Sequence, residues 1–225
     1  MPSSASRALP LRDTPPLAAG GAFSYECRRC LRCCRDKRIA VNPYEVYRLS
    51  RRIGTSTTEL LARFTSEGGT ALARREDGRC VFLGDEGCTV HPDRPLVCRL
   101  YPLGRQVRLG EPDTFVQLEG HAGSAGEFGE TGTVADYLAG QGAAPFMAAA
   151  DRYLETLVAL AGSLDLLEAS AAAPGNATAA DWLDVDAVLA GRGAPLPSTA
   201  EEAMDAHRAA LIEWGRELLT NRGDR

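Results

Sequence analysis

Between Asn42 and Phe64 apolar side chains return at helical spacing, and the polar residues between them mark where each helix starts and stops. Val46, Leu49 and Ile53 fall on one face of a predicted helix over residues 44–53. Asn42-Pro43 supplies its start, because Asn accepts an unpaired amide of the first turn and Pro has none to satisfy. Gly54 ends it. Ser56-Thr-Thr-Glu59 has the form of a capping box and opens a second helix that turns Leu60, Leu61 and Phe64 inward. Short apolar runs predict strands over 38–41, 71–75 and 80–83, with Gly84-Asp-Glu-Gly87 as a turn after the last. The C-terminal part is Ala-rich and helical in period: one helix over 146–161, continuing toward Leu167, and another over 180–189. Ser198-Thr-Ala-Glu201 caps a last helix carrying Ala203, Ala206, Ala210, Leu211, Trp214 and Leu218 on one stripe. That stripe is expected to pack against the cysteine domain. Residues 123–132 read as a Gly-rich loop without the spacing or Lys of a phosphate-binding loop.

Composition narrows the class. The chain has 225 residues, 44% of them hydrophobic, with net charge −5 and pI near 5.3. An acidic chain of this kind is no general nucleic-acid binder. No apolar run reaches the roughly 18–20 residues needed to span a bilayer. Residues 1–22 are rich in Pro, Ser and Ala and lack a secretory apolar core, so they read as a flexible leader. A cytoplasmic protein with reduced thiols is expected.

The seven cysteines change the picture most. Four of them, Cys27, Cys30, Cys33 and Cys34, lie within eight residues, and Cys80, Cys88 and Cys98 follow singly. An odd number weighs against a closed disulfide framework, and a reduced cluster points to metal or redox chemistry. Arg28, Arg29, Arg32, Arg35, Lys37 and Arg38 crowd the tetrad against a single acid, Asp36. Nearby cations lower thiol pKa values and offset the charge of a thiolate-ligated centre. Zinc sites usually use two Cys-x2-Cys pairs, whereas three cysteines at x2 spacing with a remote fourth are similar to the holding of [4Fe–4S] clusters in ferredoxins. Neighbouring residues rarely bind one ion together, so the doubled Cys33-Cys34 suggests a second metal or a redox role for one of the pair.

Cys27-x2-Cys30-x2-Cys33-Cys34, Cys80-Val-Phe-Leu83, and Cys88-Thr-Val-His-Pro-Asp-Arg94-Pro95-Leu-Val-Cys98-Arg99-Leu-Tyr101-Pro102 together resemble the YkgJ-type cysteine-cluster proteins, named for their CxxCxxCC motif. The resemblance covers about residues 24–140 and implies chelation of iron, as an iron–sulfur centre, or of zinc. A related cluster occurs in flagellin lysine methylases. Two departures stand out. The family often has Gly after the second cysteine, where this chain has Leu31. It often has a later Cys-Pro-Gly, where this chain reads His121-Ala122-Gly123, so the resemblance implies an imidazole in place of one thiol. Arg94 and Arg99 belong to the motif and are expected either to pair with carboxylates or to donate N–H bonds to the centre. His91 is a weaker candidate ligand.

These readings converge on an α+β protein. A small cysteine-rich metal-binding domain of short strands and helices is expected over 23–125, followed by a helical extension over 126–225 packing on it. The expected ligands are Cys27, Cys30, Cys33, Cys34, Cys80, Cys88, Cys98 and His121, with Arg94 and Arg99 beside the cofactor. The expected cofactor is an iron–sulfur cluster, [4Fe–4S], serving a redox or protein-modification role with an unidentified protein or redox partner. The alternative is a zinc-stapled binding module. No Ser/His/Asp or paired-carboxylate constellation and no glycine-rich motif for a methyl-donor cofactor stands out, so the sequence leaves open whether the protein is an enzyme.

Overall fold

The computed structural model describes residues 10–108, 110–169, 182–195 and 197–223, and these form an α+β protein. Two compact units share the chain. The first takes the described part of Met1–Ala40 together with Leu72–Pro145, and the second takes Val41–Ala71 and the described part of Phe146–Arg225. All seven cysteines lie in the first. The division does not fall near residue 125, because each unit uses chain from both sides of that point.

In the first unit, the strand Ala22–Glu26 pairs antiparallel with the strand Glu127–Thr133, with Glu26 opposite Glu127. Residues 123–132 are therefore not all loop. A hairpin joins Leu103–Gln106 to Thr114–Gln117. The leader expectation gives way from Pro10 onward, while residues 1–9 lie outside the described residues. Leu11 and Leu17 bridge to Leu118 and Phe115, and the Leu17 and Phe115 amides exchange bonds of 2.7 and 2.8 Å. The Pro- and Ala-rich stretch thus adds an irregular third strand to the hairpin through backbone bonds, with Leu11 left exposed. The buried core here is Phe23, Leu72, Phe82, Leu83, Val90, Leu100, Leu103, Phe115 and Val134.

The short strands around the distal cysteines are smaller than the apolar runs predict. Residues 38–41 form no strand: the Ile39 carbonyl accepts the Leu72 N–H at 2.9 Å and the Val41 N–H donates to the Thr70 carbonyl at 3.0 Å, two links rather than a ladder. Ala71–Leu72 is extended, but a turn at Gly78, whose φ is +80°, brings Arg74 back onto Cys80 as a lone bridge. Residues 80–83 begin with a turn, because the Leu83 N–H bonds to the Cys80 carbonyl at 2.9 Å. Only Leu83–Gly84 is strand, paired with Gly87–Cys88 across the predicted turn.

The second unit is helical, and its caps are those the sequence spells. Pro43–Ile53 is capped by a reciprocal Asn42–Glu45 box and ends at Gly54 in the left-handed region. Thr57–Phe64 starts at Ser56, whose side chain accepts the Glu59 N–H. Tyr47 of the first helix packs with Val185, Leu189 and Ala203. The stripe on the last helix, Ala200–Gly223, thus meets the helix Pro43–Ile53 and the helix Val185–Gly191 of its own unit. Ala203, Ala210 and Leu211 are buried, and Trp214 stands edge-on to Trp182; the Leu218 side chain lies outside the described residues. Residues 180 and 181 lie outside the described residues; within the predicted span Asp184 caps the helix Val185–Gly191, its carboxylate accepting the Ala187 N–H at 3.1 Å. The same carboxylate takes the Thr57 hydroxyl at 2.5 Å. Among the described residues, no helix is long and apolar enough to cross a membrane.

One member of the stripe escaped the hydrophobic pattern. His207 is wholly buried, its Nδ1 bonded to the Tyr153 hydroxyl at 3.0 Å and its Nε2 without a partner. Burial pushes its pKa down from 6.5 to about 4. The folded protein keeps the ring neutral, so below pH 6.5 the unfolded chain takes up a proton that the folded one refuses. Stability from this group is full above pH 6.5 and falls by about 3 kcal/mol as pH drops toward 4. Urea unfolding of the second unit between pH 6.5 and 5 should show this slope, and His207→Gln should flatten it.

Candidate metal centre

The tetrad leaves the strand Ala22–Glu26 through a tightly reversing chain. Arg29, Leu31 and Asp36 all have positive φ, between 50° and 60°, and Arg32–Cys34 forms one 310 turn. Side chains in the left-handed region cost about 1–2 kcal/mol each. Leu31 occupies the position where the resemblance led to an expectation of Gly, and its φ of 60° explains the preference. Leu31 stays because its side chain lies over the turn at Gly87.

The structure sorts the sulfurs by neighbourhood. The Cys80 N–H donates to the Cys34 carbonyl at 3.1 Å, and Cys88 stands opposite Leu83 in the hairpin just beyond Cys80. Cys34 is close enough to Cys88 and Cys98 to respond to their charge, and Cys80 responds to Cys88. Cys33 has other company: the Cys34 thiol, Lys37 and His121. Cys30 accepts the Ala125 N–H at 3.3 Å. Cys27 is exposed, and its charge reaches Tyr137, as does that of Cys33. Among the described residues, no three His, Cys, Asp or Glu side chains already close around a point as a metal would require.

Hydrogen bonds hold thiolate charge here more than arginines do. Cys33 and Cys34 share one proton. Cys34 donates to Cys33, which lowers the Cys33 pKa against the opposing effect of burial, and the Lys37 charge assists. Cys34 is correspondingly pushed up, by that bond, by burial and by the charges of Cys33, Cys98 and Cys88. The Ala125 and Arg32 amides and the Ser124 hydroxyl lower Cys30. Burial pushes Cys80 and Cys88 up, with Arg75 and Arg94 respectively working against it. Of the six basic residues, Arg28, Arg29, Arg32 and Arg38 are exposed, and Arg28 pairs with Glu26 and Glu127. Their charge is therefore mostly screened by water. Seven soft sulfur donors in one unit, two of them with lowered pKa, suit zinc or an iron–sulfur centre by donor chemistry.

Arg94 and Arg99 spend their donors on framework. Arg99 is buried, and its Nε, Nη1 and Nη2 donate to the carbonyls of Arg94, Gln141 and Pro92 at 2.9, 2.7 and 2.5 Å. Arg94 bonds the His91 carbonyl and the Gln141 side chain, each at 2.8 Å. It also faces His91 Nδ1 at 3.3 Å, and burial and this neighbouring cation lower the His91 pKa. The Arg94 charge reaches Cys88. Sequence reasoning missed the aromatic support. The Tyr101 hydroxyl accepts the His121 N–H at 2.9 Å, its carbonyl accepts the Tyr137 hydroxyl, and its ring carries Lys37 Nζ at 4.6 Å and the edge of Tyr25 at 5.8 Å. Burial holds the Tyr25 phenol protonated, pushed up to about 12. Lysine cannot reproduce the fork of Arg99, and carbonyls would be left bare. Arg99→Lys should therefore lower the stability of the first unit by about 3 kcal/mol in thermal unfolding.

No curated protein and no solved structure matches the chain. Residues 26–117, which hold all seven cysteines, match one family model, CxxCxxCC, described as a "Putative zinc- or iron-chelating domain". Over this stretch, less than half of the chain, the protein is similar to that family of zinc- or iron-chelating domains.

Proposed function

We propose that the first unit holds an iron–sulfur cluster of the [4Fe–4S] type on Cys34, Cys80, Cys88 and Cys98. The observation that carries this reading is the position of Cys34: its carbonyl is bonded to the Cys80 amide, and it responds to the charges of both Cys88 and Cys98. Four partly buried thiols drawn together by backbone bonds are a donor set for such a cluster. When bound, the cluster would supply one-electron transfer, in a cytoplasmic redox step or in service of a partner's modification. The protein's own part is to exclude water with Phe82, Leu83 and Val90 and to fix the segments through Arg99.

Cys27, Cys30, Cys33 and His121 form the adjoining set, divided from the first between Cys33 and Cys34. Three thiols and an imidazole favour a single zinc-type ion there, and this mixed set is what supports the second reading, a zinc-stapled module without redox chemistry. Protein purified anaerobically should contain iron and acid-labile sulfide. Cys34→Ala and Cys80→Ala should lose both, while Cys30→Ala should keep the sulfide. Stoichiometric zinc with no sulfide would leave the zinc module in place of the cluster, and undiminished iron and sulfide in Cys34→Ala would remove Cys34 from the centre.

A further inference from the structure

The segment after Gly120 lies beyond the residues that match the family, which end at 117. It nevertheless returns to the tetrad. Glu26 and Glu127 are register partners, so Cys27 and Gly126 leave the same rung of the sheet on its two strands. From that rung the loop is locked at several points. The Ser124 N–H closes a turn on the His121 carbonyl at 2.8 Å. The Ser124 hydroxyl lies 3.4 Å from the Tyr25 hydroxyl and accepts the Gly126 N–H at 3.3 Å. The Ala125 N–H reaches the Cys30 sulfur at 3.3 Å, and the nearby Ser124 side chain helps to lower the pKa of the same thiol. Gly126 has no room for a side chain: a Cβ there would stand 1.8 Å from the Tyr25 hydroxyl oxygen. Any larger residue must push the loop away from Tyr25, and Ala125 with it.

We infer that Ser124, Ala125 and Gly126 form a positioning element for Cys30, in which the Ala125 N–H orients the sulfur and tempers its donation to a bound metal while the Ser124 hydroxyl holds the loop in place. This rests on the reading of Cys30 as a ligand. Hydrogen bonds to a ligating sulfur draw electron density from it, and losing such outer partners typically costs about 10- to 100-fold in metal affinity. Loss of the Ser124 hydroxyl removes one hold on the loop, whereas Gly126 controls the whole loop, so the second change is the larger.

Cobalt(II) titration of the full chain under anaerobic conditions, against a competing chelator, tests the inference by affinity and by the thiolate-to-cobalt absorption band. Ser124→Ala should weaken binding about tenfold and Gly126→Ala toward 100-fold. Both should move the band to lower energy, because a sulfur without its hydrogen bond gives up charge more easily. Ser124→Thr, which keeps the hydroxyl, should restore both readings. Cys30→Ser is the separate check on the ligand itself. If Cys30→Ser weakens binding and alters the band while Ser124→Ala and Gly126→Ala match the wild type, the loop does not position Cys30. If Cys30→Ser also matches the wild type, the ligand reading fails and takes the loop's role with it. Should Gly126→Ala lose its far-ultraviolet circular dichroism, Ser124→Ala decides alone.

Discussion

Thiolates packed this closely repel one another, and that repulsion is the constraint on which the cysteine unit depends. Cys34 stays protonated because its thiol donates to Cys33 and is buried, with the charges of Cys33, Cys98 and Cys88 adding to the effect, and burial pushes the Cys80 and Cys88 thiols up as well. A cation can replace those protons, and without one the sulfurs cannot all ionise together. The fold prepares for that exchange without completing it. It brings segments together through backbone bonds, such as that from Cys80 to Cys34, and among the described residues no three candidate ligands already close around a point.

The supporting framework follows from the same need. A chain that must present sulfur from several short segments has little room for regular structure, and the strand pair bearing Cys88 is only two residues long on each side. Arg99 fills the gap by joining the carbonyls of Pro92, Arg94 and Gln141, and Tyr101 does so with its ring, its hydroxyl and its carbonyl. The second unit carries none of this burden. Its helices close over Tyr47, Val185, Leu189 and Ala203 by ordinary apolar packing, with the Thr57–Asp184 bond as a polar pin.

The helices were legible because their signals are local. Asn42-Pro43, Ser56 and Gly54 mark ends by satisfying amides within one turn, and each sits where the structure starts or stops a helix. The cysteine motif was legible because its spacing is chemical. What escaped depends on contacts distant in sequence. The strand Glu127–Thr133 is rich in glycine and polar residues and gains its structure only from Ala22–Glu26, although the alternation of Phe23 and Tyr25 was a signal for the partner strand. The return of Ser124–Gly126 to Cys30 had no sequence mark beyond the glycines. The assignment of 41–71 to the helical unit was likewise hidden, because nothing in Tyr47 or Thr57 names its partner. The tetrad's cations were overvalued for the opposite reason: charge is visible in a sequence, whereas the Cys34 thiol and the Ala125 amide, which do more for the thiolates, are not.

The central claim is that a metal completes the cysteine unit by neutralising its thiolates. Amide hydrogen exchange with the metal bound and after chelation under reducing conditions tests it most directly. The account predicts that removal of the metal loosens residues 27–36 and 78–99, including the Cys80 amide, while the helices Pro43–Ile53 and Ala200–Gly223 keep their protection. Unchanged exchange across both cysteine segments, or equal loosening of the two units, would contradict it.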